Sequence, residues 1–392
     1  MELSLRTPII FIAPFTPDRL PEHLGASAKI SLIISGLTKL GYQIHLVDSA
    51  HSPRVGYWSS NIYAQLATVA GNEIYYWRPF ILSHRKIGKV LNLTFMSSLA
   101  SRLAALKPSI IWIYNSYAFE ARMALKLADL CGAPIVLELE DLPLSRPRGM
   151  NPKPYIDEHF FRVLWRKVSL ITYVNRALMQ RYGNPSAPEI LLPSLLRREL
   201  TELHLETKFK SAPYKLGYFG GLETDKGADV ILEVLPSLPE SWHIVVTGAG
   251  RLQDRFAIAA KTYPNRLTYL GVVDQQQLIS EMIACDAILN PHKSISDMSD
   301  GVFPFKVCEA LATGALLIST PLPDIGLDLS QGILGFSGSA ASLVQIMATA
   351  AAFYAERHGA ILQLRDSVCS RFGETAIISK LAAALATLTN KL

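Results

Sequence analysis

Short apolar runs that alternate with helix-spaced apolar residues limit the fold of this chain more than any other feature. Such runs recur through the first half of the sequence, at 9–13, 42–47, 110–114, 134–139 and 170–174. Between the first two, isoleucines and leucines fall at helical spacing from Ile30 to Leu40. A short run that is apolar throughout is typical of a parallel strand covered by helices on both faces. This half is therefore predicted to form a doubly wound α/β domain.

The alternation stops and then starts again, which predicts a second domain of the same kind. Residues 200–214 carry several charges and Pro213 and lack the pattern, whereas a new strand-like run begins at 215–219. A chain of 392 residues with 49% hydrophobic content can build two cores. We place the domains at 1–205 and 206–374. A final helix in 375–392 could pack on either domain, and the first is the expected partner.

Composition disfavours several classes of protein. A net charge of +5 with 18% charged residues falls short of the dense basic surface of a nucleic-acid-binding protein. The four cysteines lie far apart and the nine histidines lack ligand spacing, so neither a disulfide framework nor a metal site is expected. The run at 9–13 reads as a buried strand rather than a signal peptide, and residues 340–355 are too short to span a bilayer. We therefore expect a cytoplasmic protein.

Two glycine-containing loops follow strands of the second domain. Gly220 and Gly221 open a loop that runs through Lys226 into a helix. Glycines let the backbone approach an anion, a helix start offers free N–H groups, and Lys226 adds a positive charge. Gly248 and Gly250 follow the next strand in the same way. Each loop alone is a weak signal, but a pair at the carboxyl edge of one sheet suits a phosphate ligand.

The segment 303–314 contains the most informative helix. Pro304 suits the first helical turn and Gly314 the position just past the last. Lys306 then lies near the positive end of the helix, and Glu309 lies one turn further on. A carboxylate at that place can accept hydrogen bonds from two hydroxyl groups. Phosphate at the helix start and ribose near Glu309 would fit this arrangement.

Taken together, these segments resemble the GT4 family of retaining glycosyltransferases, which have the GT-B fold. The resemblance extends over about 110 residues and follows the order of the family pattern, through 220–227, 247–250, 270–273, 285–291 and 309–314. It implies two Rossmann-like domains facing across a cleft. The second would bind a nucleotide-diphosphate sugar and the first would bind the acceptor. It also implies retention of anomeric configuration, with neither a metal nor another cofactor.

The resemblance also implies roles for individual residues of the second domain. Lys226 would bind the donor diphosphate, the backbone near Val272 would meet the base, and Glu309 would hold the ribose hydroxyls. Lys306 and the adjacent Val307, at the start of the same helix, would complete the donor site with the two glycine loops.

Two positions depart from the family pattern. Gly221 stands where the family usually has an arginine, which removes one phosphate-binding cation. Gly301 stands eight residues before Glu309, where the family often has a glutamate, and the adjacent Asp300 is the candidate to contact the donor sugar. A GT-B sugar-nucleotide epimerase, which shares the two-domain form, is one alternative. The two departures keep a second alternative open, a non-catalytic nucleotide-sugar-binding or scaffold protein. A dehydrogenase is disfavoured because no GxGxxG turn follows the first strand.

The first domain offers fewer specific signals. Gly25 precedes a predicted helix and matches the place of the family's glycine loop beneath the donor phosphates. Glu140 and Asp141 end an apolar strand, where α/β proteins bind their ligands, and are candidates to contact the sugar or the acceptor. Ordinary ion pairs with nearby arginines are the alternative. Lys29 is interpreted as a solvated helix residue. With Lys226 and Asp300, the two acids complete the candidate catalytic set.

The segment from Arg78 to Lys107 contains six basic residues and no acidic one, interleaved with apolar residues. Such a surface can lie on an anionic membrane or receive a lipid-linked acceptor, and an ordinary solvated helix face is the alternative. The expected partners are therefore a nucleotide-sugar donor and a glycan, lipid-linked or small-molecule acceptor. Peripheral contact with the inner face of the membrane is a further expectation, and a nucleic-acid partner is not expected.

Overall fold

The computed structural model describes residues 7–15, 26–49, 64–79, 96–140, 152–205, 207–293 and 303–389. Gly25, Asp141, Asp300 and Gly301 lie outside these residues, as do residues 80–95 of the basic segment. The predictions made for them stay predictions.

The described part of the first half forms an eight-stranded sheet in which each neighbouring pair is parallel except β3 with β4. The strands are β1 (Thr7–Ala13), β2 (Tyr42–Asp48), β3 (Ala64–Val69), β4 (Asn72–Trp77), β5 (Ile110–Tyr114), β6 (Ile135–Leu139), β7 (Val168–Tyr173) and β8 (Glu189–Leu191). Their order across the sheet is β3-β4-β2-β1-β5-β6-β7-β8. The helices are α1 (Ala26–Lys39), α2 (Ala118–Cys131), α3 (Lys153–Trp165), α4 (Arg176–Tyr182) and α5 (Arg198–Thr201), and residues 96–104 are also helical.

The described part of the second half forms a six-stranded, wholly parallel sheet. Its strands are β9 (Tyr214–Phe219), β10 (Trp242–Thr247), β11 (Leu267–Tyr269), β12 (Ala287–Asn290), β13 (Leu316–Ser319) and β14 (Ile333–Gly335). The helices are α6 (Ala228–Val234), α7 (Gln253–Thr262), α8 (Gln275–Ala284), α9 (Phe305–Ala312) and α10 (Ala340–Phe372). The order β11-β10-β9-β12-β13-β14 is the 3-2-1-4-5-6 order of the Rossmann fold. It reverses between β9 and β12, where such sheets open a ligand-binding crevice.

The long helix α10 joins the cores of the two halves. Near its start, Leu343 and Met347 are buried in the core of the second sheet. Near its end, Val368 and Phe372 are buried in the core that surrounds the first sheet. The next helix, α11 (Glu374–Thr389), then packs against α1. The contact is close, because a Cβ added to Gly36 in α1 would lie 2.1 Å from Ile378 Cδ1.

The observed architecture confirms the predicted α/β class and the two doubly wound domains. The predicted domain boundary at 205 and 206 falls between the last strand of the first sheet and the first strand of the second. The strands that the apolar runs did not predict are short or half-exposed, as in β3, where Ala64 to Leu66 are all exposed. Such strands are held by pairing with a neighbour rather than by a buried apolar run, so the run pattern misses them.

Candidate functional site

The loops that follow β9 and β10 pack directly against each other, backbone to backbone. Gly220 N–H donates to the Thr247 carbonyl at 3.2 Å, and Leu222 N–H donates to the Ala249 carbonyl at 2.9 Å. Gly248 has φ 131°, and a Cβ there would lie 1.9 Å from the Gly220 carbonyl oxygen. Only glycine fits this contact, because any side chain would overlap the neighbouring backbone.

The second half of the β9 loop brings Lys226 to the loop that follows β12. Gly227 has φ 72° and caps the start of α6, and a Cβ there would lie 1.8 Å from the Pro291 carbonyl oxygen. The two loops are also joined by a hydrogen bond from Lys293 N–H to the Asp225 carbonyl at 3.2 Å. Lys226 therefore lies in the crevice between β9 and β12, where the strand order reverses.

Lys306, in the first turn of α9, reaches back to the same place. Its Nζ lies 4.3 Å from the centroid of the Tyr218 ring and 3.4 Å from where a Cβ on Gly220 would be. Burial lowers the pKa of Lys306 to about 7, and the nearby ammonium of Lys226 adds to this effect. Among the described residues, no carboxylate lies within ion-pair distance of Lys306. Two cations thus converge on one partly buried place, where an anion would stabilise both.

Glu309 lies one turn further along α9 and is only 9% exposed. Burial raises its pKa to about 7, and Arg197 acts weakly in the opposite direction. No described group donates a hydrogen bond to this carboxylate. A buried carboxylate without a partner is costly, and hydroxyl groups of a ligand would satisfy its oxygens.

Val272 lies on the far side of the β10 loop and is exposed. The preceding residue, Gly271, accepts a hydrogen bond from Gly248 N–H at 2.8 Å, and the Tyr269 hydroxyl donates to the Gly248 carbonyl at 2.9 Å. The loop at Val272 is therefore attached to the glycine loop rather than to the lysines. Val307 is fully buried in α9, and its N–H donates to the Pro304 carbonyl at 2.9 Å.

In the first half, Lys29 is buried, and the interpretation of it as a solvated residue is wrong. It is 2% exposed, and its Nζ lies 3.2 Å from Glu138 Oε1 and pairs with Glu140. The Lys29 ammonium also donates to the Leu192 carbonyl at 2.8 Å. A lysine can be buried in this way because two carboxylates and a backbone carbonyl accompany its ammonium group. Glu140 thus has a partner on α1, while Arg146 and Arg148 lie outside the described residues.

The structure thus groups Gly220, Gly248, Lys226 and Lys306 around one crevice. One residue there was missed by sequence reasoning. His292, just after β12, is 3% exposed, and its Nε2 lies 3.2 Å from Lys226 Nζ. The signal that could have found it is its place after a strand beside the reversal of strand order, where ligand-binding residues gather.

The described part of the chain has no cluster of three or more histidine, cysteine or acidic side chains that could hold a metal ion. None of its helices combines the length and the apolar character needed to cross a bilayer.

Comparison with known proteins gives a family match for the second half. Residues 213–352, from the residue before β9 into α10, match the family model of glycosyl transferases group 1. Among curated proteins, none matches the sequence significantly. The family match supports glycosyl transfer as the chemistry of this site.

Solved structures resemble the chain over nearly its whole length. A sucrose-phosphate synthase from Thermosynechococcus elongatus is 13% identical with a TM-score of 0.73, covering 99% of this chain and 100% of its own. Anabaena HepE in complex with UDP is 13% identical with a TM-score of 0.68, covering 97% and 100%. A UDP-forming trehalose-phosphate synthase from Burkholderia xenovorans is 11% identical with a TM-score of 0.63, covering 97% and 99%. These similarities show the GT-B fold.

Proposed function

We propose that this protein is a glycosyltransferase that takes a sugar from a nucleotide-diphosphate donor and passes it to an acceptor held by the first domain. The observation that carries the proposal is the pair of lysines, Lys226 and Lys306, which converge beside the glycine loops without a carboxylate partner for Lys306 among the described residues. A diphosphate carries the charge that such a pair needs. UDP is the first nucleotide to test, because the HepE structure contains it.

The chemistry requires the diphosphate to leave the anomeric carbon with an increase in negative charge. Lys226 and Lys306 would stabilise that charge, together with the unpaired N–H groups at the start of α9. Lys306 also supplies a cation beside Gly220, next to the position where the family arginine is replaced by Gly221. Because these groups supply the positive charge, we propose that transfer needs no divalent metal.

Glu309 would accept hydrogen bonds from the ribose hydroxyls, and the loop at Val272 would lie near the base. The sugar and the acceptor would then lie between the domains, where Glu140, Asp141 and Asp300 are the candidates to contact them. Retention of configuration is proposed from the resemblance to GT4 enzymes. The acceptor is a glycan, a lipid-linked molecule or a small molecule, and the basic segment 78–107 is the proposed membrane contact.

Replacement of Lys226 by methionine tests the proposal. We expect Lys226→Met to slow release of UDP from UDP-glucose by about a hundredfold, the usual cost of one lost donor to developing charge. Lys215→Met is the matched control, since Lys215 is an exposed lysine at the opposite end of β9. Equal rates for Lys226→Met and the wild type would rule out Lys226 as the diphosphate ligand. Isomerisation of the donor without an acceptor would instead identify an epimerase.

A further inference from the structure

Lys226 has a polar partner, the imidazole ring of His292, which is itself a potential cation. The His292 ring is almost fully buried at the end of β12. Its Nδ1 lies 3.0 Å from the Lys293 carbonyl oxygen, and its Nε2 lies 3.2 Å from Lys226 Nζ. Each ring nitrogen therefore has one polar neighbour.

These two partners determine which ring nitrogen carries the proton. A carbonyl oxygen only accepts, so Nδ1 must carry a hydrogen and donate it to Lys293. An ammonium group only donates, so Nε2 must lack a hydrogen and accept one from Lys226. The ring is then neutral, which suits its place beside positive charge. An imidazolium would have no lone pair for Lys226 and would repel it.

The charges around the ring favour the same neutral form. Burial lowers the pKa of His292 below its ordinary value of 6.5, and the ammonium groups of Lys226 and Lys306 lower it further. The hydrogen bond to the Lys293 carbonyl and the carboxylate of Asp225 act in the opposite direction and are weaker in sum. The ring is therefore neutral at physiological pH.

The surrounding backbone fixes the ring in this position. The Thr320 hydroxyl donates to the His292 carbonyl at 2.7 Å, and Thr320 N–H donates to the Asn290 carbonyl at 3.1 Å. The close approach of Gly227 to Pro291 presses the Lys226 turn against the same loop. A fixed acceptor thus faces the Lys226 side chain, which is 35% exposed and whose Nζ also lies 3.7 Å from Asp225 Oδ2.

We propose that His292 is a positioning residue, which holds the Lys226 ammonium in place for the diphosphate through a neutral Nε2. The proposal rests on the proposed function of Lys226. An ammonium has three donors, so one bond to His292 leaves two for phosphate oxygens. Fixing the side chain before the ligand binds removes part of the entropy cost of ordering it. His292 itself need not touch the donor.

The first test reads the ring directly and needs no ligand. In ¹⁵N-histidine NMR, with the His292 signals assigned from a His292→Gln variant, we expect protonated Nδ1 and unprotonated Nε2 at physiological pH. In Lys226→Met, the pKa of His292 should rise. The matched control is Lys293→Met, which removes the neighbouring lysine that pairs with Asp229. In this variant the pKa of His292 should stay below its ordinary value, as in the wild type. A ring protonated at Nε2, or a pKa that Lys226→Met does not move, would overturn the proposal.

The second test measures affinity for inorganic pyrophosphate by calorimetry, which avoids any dependence on the base. We expect His292→Leu to weaken binding about tenfold, comparable to the loss of an orienting hydrogen bond at a metal site. His292→Gln, whose amide oxygen can accept at the Nε2 position, should stay near the wild type. In a Lys226→Met background, His292→Leu should have no further effect.

The outcomes distinguish failure of the positioning role of His292 from failure of the diphosphate role of Lys226. Full additivity of His292→Leu and Lys226→Met would show that His292 acts only on the structure and would refute the positioning role. Wild-type affinity in Lys226→Met would refute the diphosphate role of Lys226 and so the proposed function. The protonation of the His292 ring, measured by NMR without a ligand, does not depend on that affinity.

Discussion

The raised pKa of Glu309 leads to a pH dependence of nucleotide binding that can be worked out in advance. In the carboxylate form both Glu309 oxygens are free to accept from the ribose hydroxyls, whereas protonation turns one of them into a donor. With a pKa of about 7 in the free protein, about one molecule in eleven carries this form at pH 6 and about ten in eleven at pH 8. The Glu309 contribution to affinity should therefore rise about tenfold over that interval, or roughly 1.4 kcal/mol.

Lys306 changes in the opposite direction and must be separated from Glu309. Its pKa is also about 7, so it is mostly charged at pH 6 and mostly neutral at pH 8. Loss of that charge weakens phosphate binding as the pH rises. The wild-type affinity should consequently pass through a maximum near pH 7. Lys306→Met should remove the decline on the alkaline side, and Glu309→Gln should leave on the acid side only the decline that titration of the nucleotide phosphate causes.

The assay is calorimetric titration of UDP at several pH values on the wild type and on Glu309→Gln. Glutamine keeps the shape of the side chain but does not titrate. The ratio of the two affinities cancels the titration of the nucleotide phosphate and of Lys306. We expect this ratio to increase about tenfold from pH 6 to pH 8. A ratio that is flat across this range would refute the assignment of Glu309 to the ribose.

Three further predictions concern the loops and the charge of the site. Gly227→Ala should destabilise the protein by more than about 2 kcal/mol in denaturant unfolding, because it combines a left-handed φ with backbone overlap. Gly221→Ala, with no atom within 4 Å of its new Cβ, should change stability by less than about 0.5 kcal/mol; equal losses would refute the steric argument. Gly221→Arg should fold normally and bind pyrophosphate about twofold to fivefold more tightly, as expected for a partly exposed charge pair, and weaker binding would contradict a phosphate at this loop. EDTA should leave transfer rates unchanged, and a loss restored by Mg²⁺ would contradict metal-independent transfer.

Much of the fold could be predicted because its strands are apolar on both faces. A continuous apolar run such as Ile110 to Tyr114 must bury both faces of its strand, which happens in the middle of a parallel sheet. This strand is fully buried. By contrast, β3 is mostly exposed and gains its place by pairing with β4. A pattern that depends on burial carries no information about such a strand.

In the candidate site, features that depend on neighbouring residues could be predicted, whereas those that depend on distant parts of the chain could not. The glycines at 220 and 248 and the limits of α9 are local features, and the sequence indicated them. Lys29 was misjudged because its partners, Glu138, Glu140 and the Leu192 carbonyl, lie more than 100 residues later in the chain. His292 was missed because its role depends on Lys226, 66 residues earlier, and only the order of the strands brings their two loops together.

The central claim is that the crevice between β9 and β12 binds the diphosphate of a nucleotide sugar through Lys226 and Lys306. The most direct measurement is thermal unfolding with a panel of UDP-, GDP-, ADP-, CDP- and dTDP-sugars, since a ligand that binds the folded state raises the midpoint. We predict a concentration-dependent rise for at least one donor in the wild type and in Lys215→Met, and its loss in the Lys226→Met, Lys306→Met double variant. No rise with any donor, or an equal rise in the double variant, would contradict the claim.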